Sequence, residues 1–406
     1  MSMYLIMAFR NLWRNPHRTL ITTASVFFAV LLVLFTRSMQ YGTYEHMIRT
    51  TLKLHTGFIQ VQGPEFQEKR SLENSMELDS FQISKTLTIK HVTGAVPRIE
   101  SFALASSGQN SRGVAVTAID PAGEDRMNGL SSRVKSGKYL SGKSPGVLIG
   151  AKLAEYLSVK VNDSLVLLSQ GYHGVSAAGI FPVTGIVELP IPELNANIVY
   201  MSLDVAQWFF AMPGMVTSLA LMIDDPDNLG TVEASIREIF KGPYVVLNWR
   251  EILPELVQSI EIDNAGGIIM LGILYLVIGF GIFGTVMMMS AERRREFGVL
   301  ISIGMKRWRL NLMIFIETLF IGLMGSVAGM LVSIPILLYM RGHPVKLTGD
   351  AAEAIMRYGW EPVIPFLVEP SLFINQTIIV LVISLIAAIY PLWSISRIKV
   401  SDVLRA

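Results

Sequence analysis

Four stretches without a single Asp, Glu, Lys or Arg constrain this chain more than anything else in it: Thr19 to Thr36, Asn264 to Ala291, Thr318 to Met340 and Pro370 to Ser396. At 1.5 Å of rise per residue, each reaches or approaches the ~30 Å hydrocarbon core of a bilayer. Only helices can cross that core in short isolated segments, because no water is present there to satisfy the backbone. The first stretch follows an amphipathic segment and is followed by no small-residue cleavage pattern, so it is expected to stay as an anchor rather than be removed as a signal peptide.

Composition agrees with a membrane protein. Of 406 residues, 51% are hydrophobic and 16% charged, against roughly 25% charged in soluble domains. No cysteine is present, which excludes disulfide frameworks, thiolate catalysis and Cys-ligated zinc. The six His are scattered without ligand spacing, so no metal site is expected. A net charge of +2 gives no nucleic-acid footprint, but that near-neutral value conceals an uneven distribution. Segments 1–18, 291–309 and 397–406 together carry 12 basic and 3 acidic side chains, a balance of +9, against −7 for the remainder. Basic loops mark the cytoplasmic side, and these three segments alternate correctly with four spans.

The expected organisation is therefore a polytopic α-helical membrane protein with four transmembrane helices and a large α+β extracytoplasmic domain between the first two. The division runs 1–16 (cytoplasmic interfacial helix), 17–40 (first span), 41–262 (extracytoplasmic domain), 264–291 (second span), 292–309 (cytoplasmic helix and loop), 310–340 (third span), 341–370 (extracytoplasmic loop), 371–396 (fourth span) and 397–406 (cytoplasmic tail). In the large domain, β-rich runs at 56–62, 112–120, 145–150, 163–170, 181–188, 197–203 and 216–224 suggest at least one antiparallel sheet. Helical patches are expected at Ala151 to Leu157 and Asn228 to Phe240, with 63–90 a polar loop or arm.

The string GKYLSGKS at 137–144 matches G-x-x-x-x-G-K-[ST]. A phosphate loop must open a helix at its Lys and Ser, and here Pro145 and Gly146 lead into the β-rich VLIG instead. No nucleotide site is expected there. At the N-terminus, Leu5, Ala8, Phe9, Leu12 and Trp13 share one helical face until Asn15-Pro16 ends the helix, as in a helix lying along the inner membrane face. The loop ERRREFGVLISIGMKRWRL (292–310) is too apolar at its centre for a solvated linker. A short helix seated in a partner's groove would use such a centre, while its basic flanks suit anionic lipid heads. Glu317, near the cytoplasmic end of a span, is an ionisable group expected to pair or to couple. Gly325 and Gly329, with Gly322 one turn earlier, permit close helix approach, either within the subunit or at a dimer seam.

AFRNLWRNPHRTL (8–20), ERRREFGVLISIGMKR (292–307), Glu317 and the terminal SRIKVSDVLR (396–405) resemble the FtsX/MacB-type ABC permeases. Val400 stands where that family usually has a proline. The resemblance implies a cytoplasmic coupling helix gripped by an ABC ATPase, with two permease subunits, identical or paralogous, and two ATPases that bind the ATP and Mg. It implies no catalysis or cofactor in this chain. Glu292, Glu296, Phe297, Gly298 and Leu300 would contact the ATPase, with Arg293, Arg294 and Arg295 setting its electrostatics. HTGFIQVQ (55–62), 145–168 and 181–207 are similar to the lipoprotein-releasing permeases of LolC/LolE type. That implies a lipoprotein or other hydrophobic substrate drawn from the bacterial inner membrane, with a periplasmic chaperone or adaptor as a further partner. GYHGVSAAGI (171–180) occupies the place of that group's chaperone-capturing hook, but is short and lacks proline. The alternatives are an FtsX-like regulator of an extracytoplasmic hydrolase and a MacB-like efflux permease for peptides or drugs.

Overall fold

A computed structural model describes residues 2–14, 16–142, 145–357 and 362–396. Lys143 and Ser144 of the GKYLSGKS string lie outside the described residues, as do Val400 and the expected tail 397–406. The chain forms two compact units, one of Met1–Glu45, Ser259–Lys346 and Val363–Ala406, the other of His46–Gln258 and Leu347–Pro362.

The first unit contains an elbow helix (Ser2–Leu12) and all or most of four helices long and apolar enough to cross a membrane. These run Pro16–Thr51, Pro254–Glu292, Arg307–Gly342 and Pro370–Ser396, with a short helix Arg294–Ser302, the expected coupling helix, between the second and third. Pro16 suits a first helical position, where its missing N–H would have had no partner. The first three helices continue well beyond the charge-free windows, because apolarity sets what a bilayer accepts but not where backbone hydrogen bonding stops.

The small residues of the third span seat it against its neighbours within this chain. Gly322 faces Ser384 of the fourth span, while Gly325 and Gly329 face Val26 and Val30 of the first. A Cβ at position 325 would stand 2.6 Å from Val26 Cβ and 2.9 Å from the Thr23 carbonyl oxygen. Gly325→Val is therefore expected to cost about 1–3 kcal/mol by overpacking, seen as a lowered unfolding midpoint of the purified chain. Gly284→Val is the control, since a Cβ there meets nothing within 4 Å.

The second unit is built on a ten-stranded mixed sheet. Its strands are β1 (Ile59–Gln62), β2 (Val92–Ser107), β3 (Asn110–Ile119), β4 (Val134–Gly137), β5 (Val147–Gly150), β6 (Ser164–Gln170), β7 (Ser176–Val187), β8 (Ile198–Ser202), β9 (Ser218–Ile223) and β10 (Val245–Asn248). The order is β10-β1-β9-β2-β3-β8-β5-β7-β4, with β6 pairing β2 and β7. The pairs β3/β8 and β5/β7 are parallel, so the sheet is not purely antiparallel. Helices Ala151–Leu157 and Leu203–Phe209 cover a core that includes Ile99, Val116, Ile149, Leu153, Leu167 and Phe210. Gly57 is required before β1: its φ is +73°, and a Cβ would stand 2.8 Å from the Leu221 carbonyl oxygen.

Two stretches differ from their sequence reading. Residues 63–90 are not an undifferentiated arm. Phe66, Leu72 and Met76 are buried, and helix Ser80–Leu87 opens on a capping box between Asp79 and Gln82. Of 171–180, only 171–175 connects strands, because the alternation of Ala177, Gly179 and Phe181 on one face continues β7 down to Ser176. Val92–Ser107, a 16-residue strand at the sheet's centre, carries the buried Arg98, which donates from Nε and Nη2 to both Glu124 oxygens at 3.0 and 2.6 Å.

Candidate functional site

The elbow helix buries Ala8 and Leu12 and leaves Phe9 exposed, as is Trp13 in the turn that follows it. Phe9 meets Phe320 of the third span edge-on, with ring centroids 6.4 Å apart. On the adjoining face, Asn11 Nδ2 donates to Glu317 Oε1 at 2.7 Å. The second span ends at Glu292, and Arg293 (φ −92°, ψ 6°) breaks the helical run before the coupling helix begins at Arg294. That break turns the Arg293 guanidinium inward. Its Nη1 donates to both Glu317 oxygens, at 2.9 and 3.0 Å, and its Nε reaches Glu296 Oε2 at 3.4 Å. Its Cζ stands 5.1 Å from the centroid of the Phe297 ring. Arg14, in the turn after the elbow helix, closes the circuit with 3.0 and 2.8 Å contacts to the two oxygens of Glu296.

Asn11, Glu317, Arg293, Glu296 and Arg14 thus tie the elbow helix, the third span, the helix break and the coupling helix together. Arg293 and Glu317 are 8% and 2% exposed. A buried pair tolerates that burial only where further hydrogen bonds satisfy it, and Asn11 supplies one. The packing is close, leaving a void of about 10 Å³ beside Arg293, Phe297 and Glu317, near the lower limit for one water.

The outer pair is different, since Arg14 and Glu296 are about half exposed, with 50% and 46% of their side chains accessible. Hydrogen bonding from Arg14 holds the Glu296 carboxyl below its ordinary 4.5 despite some desolvation. A depressed carboxylate contributes its stabilisation above the ordinary value and loses it as pH falls below. Solvent screening keeps the contribution small. Arg14→Gln is expected to lower stability by at most about 1 kcal/mol at pH 7 and by less below pH 4, read from thermal unfolding at the two pH values.

The coupling helix has two faces. Phe297 and Gly298 are buried, Phe297 completely, and Leu300 is partly covered. Glu292, Arg294, Arg295, Glu296 and Val299 are exposed, and Ile303 just beyond the helix is 79% exposed. Phe297 and Gly298, expected to contact an ATPase, are both buried within this chain, and Phe297 shares one apolar core with Leu310 and Ile314. Arg293 is likewise buried, with its guanidinium on Glu317. Asn11 and Arg14 were not singled out from sequence. The available signal was Asn11 itself, a polar side chain flanking the apolar face, and an arginine just beyond the helix end.

Away from this junction, Gly137 ends β4 and 138–142 follow it ahead of β5, with the Tyr139 hydroxyl donating to the Pro121 carbonyl at 3.0 Å. Among the described residues, no group of three or more His, Asp or Glu stands together to hold a metal.

Comparison with known proteins matches residues 19–239, more than half of the chain, to the family described as MacB-like periplasmic core domain. Residues 268–400 match the family described as FtsX-like permease C-terminal. The lipoprotein-releasing system transmembrane protein LolC of Xylella fastidiosa is 26% identical over 336 residues, 80% of each chain. The uncharacterized ABC transporter permease YknZ of Bacillus subtilis is 20% identical over 339 residues, 80% of this chain and 83% of that one. The periplasmic region of MacB from Actinobacillus actinomycetemcomitans, a solved structure, aligns with 53% of this chain and 98% of its own at 13% identity and a TM-score of 0.36.

Proposed function

Since this chain belongs to the ABC transporter permeases that carry a MacB-like periplasmic core domain and an FtsX-like C-terminal region, we propose that it converts ATP hydrolysis by a separate ATPase subunit into movement of its ectodomain. That movement extracts or exports a lipoprotein or other hydrophobic substrate from the inner membrane. The termini and the coupling helix face the cytoplasm, in keeping with the basic side chains gathered there. Two ATPases bind ATP and Mg, and a second permease subunit, identical or paralogous, completes the complex.

The observation that carries the coupling is the Arg293–Glu317 junction, where the coupling helix, the third span and the elbow helix share one buried ion pair. A rigid connection of this kind makes helix displacement and span displacement a single event. ATP-driven closure then biases two arrangements of the spans through their different contacts with the ATPase. Arg294, Arg295, Val299 and Ile303 form the face the ATPase grips. The lipoprotein substrate rests on the LolC relative, named for lipoprotein release.

The test is reconstitution of the chain with its ATPase in proteoliposomes holding a lipid-anchored reporter peptide. ATP-dependent release of the reporter is expected. ATP turnover without release, together with activation of a co-purifying hydrolase, would instead assign the chain to regulation.

A further inference from the structure

The membrane unit contains a cavity of about 380 Å³ between the first, second and fourth spans, within the range of ligand sites. Its apolar lining includes Val33, Leu34, Leu271 and Ile379. Its polar groups are graded along the spans. Arg37 and Tyr41 come just after the charge-free window of the first span, while Gln376 lies six residues into the fourth. At 1.5 Å per residue, Gln376 is thus ~9 Å inside that helix's start.

Two features of the lining stand out against an empty packing defect. The first is Gln376, which is 3% exposed; its Oε1 accepts from the Tyr275 hydroxyl at 2.6 Å, yet its Nε2 has no partner. An unpaired buried donor is costly, and a ligand acceptor would relieve it. The second is Arg37. Its Nη1 donates to Gln40 Oε1 at 2.7 Å and Asn264 Oδ1 at 2.9 Å, and its Cζ lies 5.4 Å from the Tyr41 ring centroid. Among the described residues, no carboxylate pairs with it. The nearby Asp263 carboxylate is held by Tyr44 and Gln40.

We propose that this cavity is a phospholipid site, taking one acyl chain among the apolar side chains, with the ester carbonyl on Gln376 and the phosphate on Arg37. A cation near the ends of the spans, an unpaired buried amide donor farther along them and apolar side chains between the helices match that order of groups from the head down. The charge favours an anionic amphiphile over a lipid anchor without a phosphate, so the site is one for membrane lipid rather than for an exported lipoprotein. The inference needs the four helices to cross a bilayer and is independent of the transport reading.

Native mass spectrometry of the full chain in complex with its ATPase tests it, with dioleoyl phosphatidylglycerol as the probe. Wild type is expected to retain one phosphatidylglycerol, bound about tenfold more tightly than dioleoylglycerol, which lacks the phosphate. Arg37→Gln should bring the two lipids level. Gly272→Leu should exclude both, because a Cβ at Gly272, a lining residue, meets nothing within 4 Å and leucine strengthens the helix. Equal retention by wild type and Arg37→Gln would overturn the assignment. So would displacement of the lipid by millimolar inorganic phosphate, which would make this a free-anion site, or equal binding of a synthetic triacylated lipopeptide, which would make it a cargo site. ATPase co-purification in the same spectra reports separately on the coupling reading.

Discussion

Glu317→Ala is expected to cost about 3–5 kcal/mol and to abolish ATP-coupled activity. The reason is Arg293, which is 8% exposed and meets both Glu317 oxygens. With its carboxylate removed, the guanidinium is a buried charge left with only the 3.4 Å contact of its Nε to the half-exposed Glu296. Asn11 loses its acceptor in the same step. Replacing both ionic partners with apolar residues is a different perturbation, often neutral or stabilising. Arg293→Met with Glu317→Leu should therefore restore the unfolding midpoint. It should not restore turnover, because an apolar contact can pack the helices together without holding the coupling helix in one orientation. Thermal unfolding of the purified chain and ATP hydrolysis by the assembled complex read the two effects apart. An unchanged midpoint in Glu317→Ala would refute the burial argument. Full turnover in the double variant would reduce the pair to a structural role.

Glu317 was legible in the sequence because an ionisable residue stands out in an apolar run, whereas its pairing with Arg293 and Asn11 was not. Asn11 lies 306 residues away and Arg293 sits 24 away across a helix break, and no one-dimensional pattern specifies such pairing. The charge-free windows were legible for the opposite reason, since the bilayer acts on each segment independently. Strand β2 was missed because VTGAVPRIESFALASS mixes Gly, Pro, Arg and Glu with apolar residues and does not alternate cleanly. It pairs with β9, β3 and β6 along different parts of its length, so its two faces change environment as it runs. The glycines of the third span left two packings open in sequence. The side chains of Val26 and Val30 decide between them for Gly325 and Gly329.

The coupling helix should fail in two separable ways, one for each face. Phe297 is fully buried against Arg293 and the apolar core of the membrane unit. Phe297→Ala removes most of a buried ring and is expected to cost about 3–5 kcal/mol through lost burial and the cavity left behind. Val299 and Ile303 are exposed, at 43% and 79%, so Val299→Asp with Ile303→Asp should change stability by no more than about 0.5 kcal/mol per site. Placed in an apolar interface, however, the two new carboxylates would lose their water without gaining partners. Capture of the ATPase by the tagged chain should then be lost, with the unfolding midpoint unchanged. Phe297→Ala should give the reverse pattern, a lowered midpoint with capture persisting at low temperature and turnover uncoupled. If the double aspartate variant held its ATPase at wild-type stoichiometry, the docking face would lie elsewhere. If Phe297→Ala left the midpoint in place, the buried face would not be what fixes this helix to the bundle. The two measurements together therefore distinguish a helix that is gripped from a helix that is anchored, and coupling requires that it be both.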